Sequence, residues 1–191
     1  MTKRMKRNQI VLIYGMPASG KYTMAKRLRD ADGGALLDNH YFHDMFAHIT
    51  EIPDETRGLY FHMVAGLRNT FLDILRNFYP REKKTRYIFT SVLVTGDTLQ
   101  ERLDTLAQDM DADYIPIELV VGIDTLAARC ETEYRKSRKK LANADKLRNA
   151  MKTNLSDPLI YDHPNKLTIE SDNLSEDETF ALIQEHLKKF E

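Results

Sequence analysis

"QIVLIYGMPASGKYTM", residues 9–24, decides the architecture of this chain. Its first part, Gln9 to Tyr14, is apolar and β-branched, and reads as a strand buried on both faces. Gly15, Gly20 and Lys21 follow at the spacing G-x-x-x-x-G-K. Lys21 to Asp30 then reads as a helix, with Met24 and Leu28 one turn apart. Strand, glycine-framed loop and helix in this order make a cradle for phosphate. Glycines let successive backbone N–H groups converge on anionic oxygens. The helix N-terminus adds a favourable dipole, and Lys21 adds a mobile positive charge. Gly15, Met16, Pro17, Ala18, Ser19, Gly20, Lys21, Tyr22 and Thr23 are therefore the expected phosphate-binding residues.

Tyr22 departs from the motif, which ordinarily continues with a Ser or Thr whose short hydroxyl ligates Mg²⁺. A phenol oxygen lies several ångströms farther from the main chain and does not reach the same point. Thr23 carries a hydroxyl, but the next helical residue points about 100° away. Thr23 is expected to touch an inner phosphate instead. Tyr22 either packs beside the loop or lies over the nucleotide. Phosphate binding is expected to survive, with an altered metal arrangement: water and a carboxylate carry Mg²⁺, or turnover is slow or absent.

Outward from this stretch the chain reads as α/β. "ALLD", Ala35–Asp38, is a short second strand; "RYIFTSVLV", Arg86–Val94, a third; "YIPIELVVG", Tyr114–Gly122, a fourth; and "KLTIE", Lys166–Glu170, a last one. Helical patterns alternate with them. Glu55–Tyr79 carries Leu59, Met63, Leu67, Phe71, Leu75 and Tyr79 at every fourth position before Pro80 stops it. Leu99–Met110 and Thr125–Arg138 are further helices. The closing helix opens with a capping box, Ser175 and Glu178, and turns Phe180, Ile183, Leu187 and Phe190 inward. Such alternation predicts a parallel sheet covered on both faces. The 191 residues suit one domain spanning 1–191, with a core of ordinary size.

Composition excludes several classes. A net charge of -1 gives no general attraction to nucleic acid or membrane. Cys130 is the only cysteine, so no internal disulfide forms, which suits a reducing cytoplasm, the expected location. The apolar run Ile10–Tyr14 is too short for a signal-peptide core, and no stretch approaches the ~20 apolar residues of a membrane span. Oligomeric state is not legible.

Several polar residues are candidates for chemistry. Asp38 ends the second strand, where ligands of open α/β sheets bind, although aspartate also caps turns well. His40, His43 and His48 crowd nine residues, but at no standard zinc spacing, and His40 fits an acceptor pocket better. Arg57 and Arg68 are eleven residues apart and share a helix face, either in the cleft or in solvent. The third strand holds no carboxylate; Thr90 and Ser91 stand near its end, and Asp97 reads as the cap of the next helix. "RCETEYRKSRKK", residues 129–140, is basic, with Arg135 and Arg138 one turn apart; it is short and carries one aromatic, Tyr134, which disfavours RNA.

"GMPASGK", "LLDNH", "RKSRKKL" and "NKLTIES" together resemble the small P-loop kinases, over nearly the whole chain. The likeness is to the shikimate-kinase-like, gluconate-kinase-like and chloramphenicol-phosphotransferase-like group, often described as AAA-type ATP-binding domains of unknown substrate. The resemblance implies a three-layer fold around a five-stranded parallel sheet in order 2-3-1-4-5, an acceptor-binding region near residues 38–80 and a basic lid near 129–150. It implies an ATP-dependent transfer to a hydroxyl of a small molecule. Lys21, Asp38, Arg135 and Arg138 would be the catalytic groups, Arg129 would touch the nucleotide, and His40, Arg57 and Arg68 would hold an acceptor that carries a carboxylate or phosphate. Asp38 would act as base or would hold Mg²⁺ through water. Asp162–Lys166 would lie beside the adenine. Tyr22 and the missing strand-three carboxylate support a second reading, a nucleotide-binding regulator with little turnover. A nucleoside or nucleic-acid 5′-hydroxyl kinase is a third.

Overall fold

The first strand, β1 (Asn8–Gly15), forms the middle of the molecule: Ile10 to Ile13 have no exposed surface. A computed structural model describes residues 6–47, 53–81, 83–93, 96–131, 143–152 and 161–191, with only the backbone at Ala47, Asp54 and Arg57. β1 pairs in parallel with β3 (Arg86–Ser91) on one side and with β4 (Ala112–Val120) on the other. β2 (Ala35–Asp38) extends the sheet beyond β3, and β5 (Leu167–Glu170) extends it beyond β4. The order is β2-β3-β1-β4-β5, as the resemblance implied. β3 is shorter than expected and stops at Ser91.

Seven α-helices lie among the described residues: α1 (Lys21–Asp32), α2 (His40–Ala47), α3 (Arg57–Phe78), α4 (Leu99–Asp109), α5 (Ile123–Cys130), α6 (Ala144–Lys152) and α7 (Glu176–Leu187). Alternate residues of each strand face opposite sides of the sheet. Ile10, Leu12 and Tyr14 pack against α4 and the end of α3; Val11 and Ile13 pack against α1 and α7. A third cluster joins Ala18 of the loop after β1 to Leu126 and Cys130 of α5 and Leu147 of α6. Hydrophobic burial on both faces fixes the sheet, since each apolar side chain removed from water contributes roughly 1.5–3 kcal/mol. The expected capping box on α7 is present, with Phe180, Ile183 and Leu187 buried.

α3 differs from its sequence pattern. A short 3₁₀ turn, Asp54–Thr56, precedes it, and Tyr79 before Pro80 is already extended. Four residues advance a helix by about 40° beyond one turn, so a stripe repeated every fourth residue winds around the cylinder. Leu59 and Met63 consequently face solvent, at 62% and 50% exposure, whereas Leu72, Leu75 and Val64 reach the core. α2 and α6 were not foreseen. The helix expected over Thr125–Arg138 is described as α5 only to Cys130, and residues 132–138 lie outside the described residues.

Candidate functional site

The loop after β1 owes its shape to two glycines with different duties. Gly15 has φ +150°, and a Cβ there would sit 2.4 Å from the Leu119 carbonyl oxygen of β4. Any side chain would push the strand pair apart. Gly20 has open space around it, but at φ +94° it forms the left-handed entry to α1. No side chain caps that entry, which leaves the helix N-terminus to a ligand. Ser19 N–H donates to the Met16 carbonyl (3.1 Å), and the Lys21 ammonium donates to the same oxygen (2.8 Å). Lys21 is thus held over the loop.

A cavity of about 1360 Å³ opens at the carboxyl ends of the strands. Pro17, Ala18, Ser19, Gly20, Lys21, Tyr22 and Thr23 form its floor. Gly15 and Met16 support that floor from beneath without lining the space; Met16 packs on the α5–α6 cluster. The strand order places two chemically different walls beside the loop. Towards β5 stand Arg129, Ser171, Leu174, Glu176 and Thr179. Arg129 donates to the Ser171 carbonyl (3.1 Å), which ties α5 to the segment after β5.

The other wall comes from β2, β3, α2 and α3. Asp38 and Thr90 are register partners on adjacent strands. The Thr90 hydroxyl donates to Asp38 Oδ1 at 2.6 Å, and the His40 N–H reaches the same oxygen at 3.3 Å. Asp38 is 4% exposed. It therefore caps the turn and lines the cavity at once. Arg68 lines the cavity too, with its Nη2 3.4 Å from Asp97 Oδ1. That oxygen also accepts from Leu99 N–H (2.9 Å), but the N-cap of α4 is Thr98, one residue beyond the expected Asp97. Burial lowers the Arg68 pKa, with the Asp97 carboxylate opposing.

His40 lines the cavity beside His43. His43 Nδ1 lies 2.7 Å from the Tyr60 hydroxyl and Nε2 lies 3.3 Å from Asn39 Nδ2. Both ring nitrogens thus have a polar neighbour. Burial pushes the His43 pKa down, which favours the neutral imidazole. Asn39 Oδ1, Asn69 Oδ1 and Arg68 Nε are buried in this wall with no hydrogen-bond partner among the described residues. Buried polar atoms left in that state favour a polar occupant.

The structure brings together most of the predicted set and leaves part of it undescribed. Tyr22, Asp38, His40, Arg68 and Arg129 share the cavity with the loop. Arg135 and Arg138 lie outside the described residues, as does His48, and Arg57 opens α3 without a described side chain. Asp162–Lys166 is a correction. This segment precedes β5 and lies at the opposite end of the strand from the cavity. Asn165 Nδ2 donates to the carbonyl of Tyr114, near the start of β4, at 3.0 Å. The segment that faces the cavity is the one after β5, around Ser171 and Leu174. Asn39, Phe61, His62, Asn69 and Thr179 were missed as lining residues. Only the doublet Asp38–Asn39 at a strand end offered a signal for any of them.

The usual donors of a phosphate-bound Mg²⁺ do not fit this cavity. Tyr22 stands where a short hydroxyl belongs, and β3 ends in Thr90 and Ser91 instead of a carboxylate. Asp38 and Asp97 line the cavity with one oxygen of each hydrogen-bonded, and they are the carboxylates there that could hold an ion through water. Among the described residues no three His, Cys, Asp or Glu side chains gather as a metal site. No described helix is long and apolar enough to cross a membrane.

No protein-family profile matches the sequence, and no curated protein is significantly similar to it. Solved structures are similar in fold. A candidate kinase from Chloroflexus aurantiacus aligns with TM-score 0.66 and 20% identity over 98% of this chain and 100% of its own. A shikimate kinase from Acinetobacter baumannii, in complex with shikimate, aligns with TM-score 0.55 and 16% identity over 95% and 94%. A gluconokinase from Sinorhizobium meliloti aligns with TM-score 0.53 and 12% identity, over 98% of both chains. With its strand order and its glycine-framed loop after the central strand, this chain has the fold of the P-loop small-molecule kinases.

Proposed function

We propose that this chain is an ATP-dependent phosphotransferase that acts on a hydroxyl group of a small molecule. One observation carries the reading: a single cavity holds the phosphate loop with Lys21 on one side and the buried carboxylate Asp38 on the other. Phosphoryl transfer is mostly positioning and charge stabilisation, and both walls serve it. Loop amides and Lys21 bind the polyphosphate. Arg129 and the segment after β5 flank the nucleotide. Asp38, held by Thr90, accepts the proton of the attacking hydroxyl. His40, Arg68, Asn39 and Asn69 line the acceptor's side, and the free valences of the last three fit a polar acceptor that bears an anionic group. Arg57, Arg135 and Arg138 are proposed as additional anion-binding groups. The protein is read as cytoplasmic.

The test is product formation from labelled ATP across a panel of sugars, sugar acids and other hydroxyl compounds. One acceptor class should yield a phosphorylated product. Asp38→Asn should slow its formation about 10²- to 10⁴-fold while nucleotide affinity stays within about twofold. Tight ATP binding with no product from any acceptor would support the second reading, a nucleotide-binding regulator. Tyr22 is the observation that favours that alternative. There, nucleotide would raise thermal stability by linkage without being consumed.

A further inference from the structure

We propose that this chain grips its nucleotide without needing a divalent cation, and that Tyr22 is the residue that removes the need. The inference rests on the nucleotide-binding half of the function proposed above.

The main-chain part of the cradle is complete. Gly15 permits the close approach to Leu119, Gly20 turns into an uncapped helix, and Lys21 is poised over the loop on the Met16 carbonyl. These elements bind phosphate oxygens directly and require no ion. The metal-holding part is replaced. An ion that bridges the outer phosphates is ordinarily anchored by a Ser or Thr oxygen, one bond beyond Cβ, at the position after the lysine. At Tyr22 the oxygen sits at the far edge of a ring. The residue is half-buried and lines the cavity beside the loop. Its phenol lies within electrostatic reach of Arg29, farther along α1.

Thr90 and Ser91 end β3, and the Thr90 hydroxyl is committed to Asp38 at 2.6 Å. The departure at Tyr22 therefore carries the change. Lys21 stands at the loop and Arg129 on the β5-side wall with Glu176, while Arg68 belongs to the other wall with Asp38 and Asp97. Fixed cations and N–H dipoles in a partly enclosed cavity do part of the charge balancing that an ion otherwise does.

Calorimetric titration of the full chain with ADP and with ATP, in magnesium chloride and in excess EDTA, tests this. The expected affinities in the two buffers agree within about threefold. A loss of about tenfold or more in EDTA overturns the inference and leaves the phosphotransferase reading standing. No binding in either buffer overturns that reading and the inference with it. Tyr22→Thr should acquire a metal requirement and bind at least about tenfold tighter with magnesium than with EDTA. A folded Tyr22→Thr that stays indifferent to magnesium overturns the assignment to Tyr22. Should that variant lose its thermal transition, Tyr22→Ser replaces it, and the wild-type comparison decides the metal question in any case.

Discussion

The floor of the cavity and its acceptor-side wall are built on opposite principles. The floor is main chain: its shape follows from Gly15 against Leu119 and from Gly20 at the head of α1. The wall is side chain: Asp38 with Thr90, Arg68 with Asp97, His43 between Tyr60 and Asn39. A main-chain site takes its shape from its glycines, above all Gly15, and adds a single ammonium group, Lys21. A side-chain site is tuned by every partner, and each partner comes from a different element. The similar solved structures share the fold at 20% identity or less.

The sharpest way to break this contrast is to add one methyl group to the floor. Gly15→Ala places a Cβ 2.4 Å from a backbone oxygen and should cost about 3 kcal/mol or more by denaturant unfolding. Gly20→Ala meets nothing within 4 Å and should cost only about 1–2 kcal/mol, from its left-handed backbone alone. Equal costs would show that the floor is not held by the β1–β4 contact.

Lys21→Ala separates binding from folding. It should weaken nucleotide binding by about 2–3 kcal/mol, roughly 30- to 150-fold in Kd, with an unchanged melting temperature. On the wall the expected result is reversed. Thr90→Val removes the hydroxyl donor to a buried carboxylate and should cost about 1–3 kcal/mol of stability. Nucleotide affinity should remain as it is. If Thr90→Val weakens nucleotide binding instead, floor and wall are coupled more tightly than their geometry indicates.

The smallest expected effect concerns pH. Burial lowers the His43 pKa in the folded state, so between pH 7 and 5 the unfolded chain binds the extra proton first. Stability should therefore fall as pH falls through the ordinary histidine range. His43→Asn should flatten that slope in melting temperature; an unchanged slope would assign it to another group.

How much was legible differs between the same two regions. Gln9 to Lys21 contains the strand, the turn glycines and the ammonium group in one continuous run, so local sequence suffices to read the floor. Asp38 was legible because it ends a strand. Its partner Thr90 was visible only as a hydroxyl near the end of another strand, fifty-two positions away, and strand register alone unites them. Asn69 and Phe61 gave no signal, since α3 presents one face to the cavity and another to the core. The every-fourth-residue stripe on α3 misled for a simple reason. It winds about 40° per step, and only packing against β1 and α4 selects which part is buried. Asp162–Lys166 was placed beside the adenine by resemblance alone, and only the parallel pairing of β5 with β4 shows that the chain meets the cavity after β5.

The sequence by itself determined the α/β class, the position of the phosphate loop and the departure at Tyr22, because each is a short-range matter of residue type and spacing. Only the tertiary structure decided which polar groups share the cavity, that Arg68 leans on Asp97, and that the segment after β5 faces the ligand space. Those are consequences of long-range strand order and register, and hydrophobic burial on both faces of the sheet sets them.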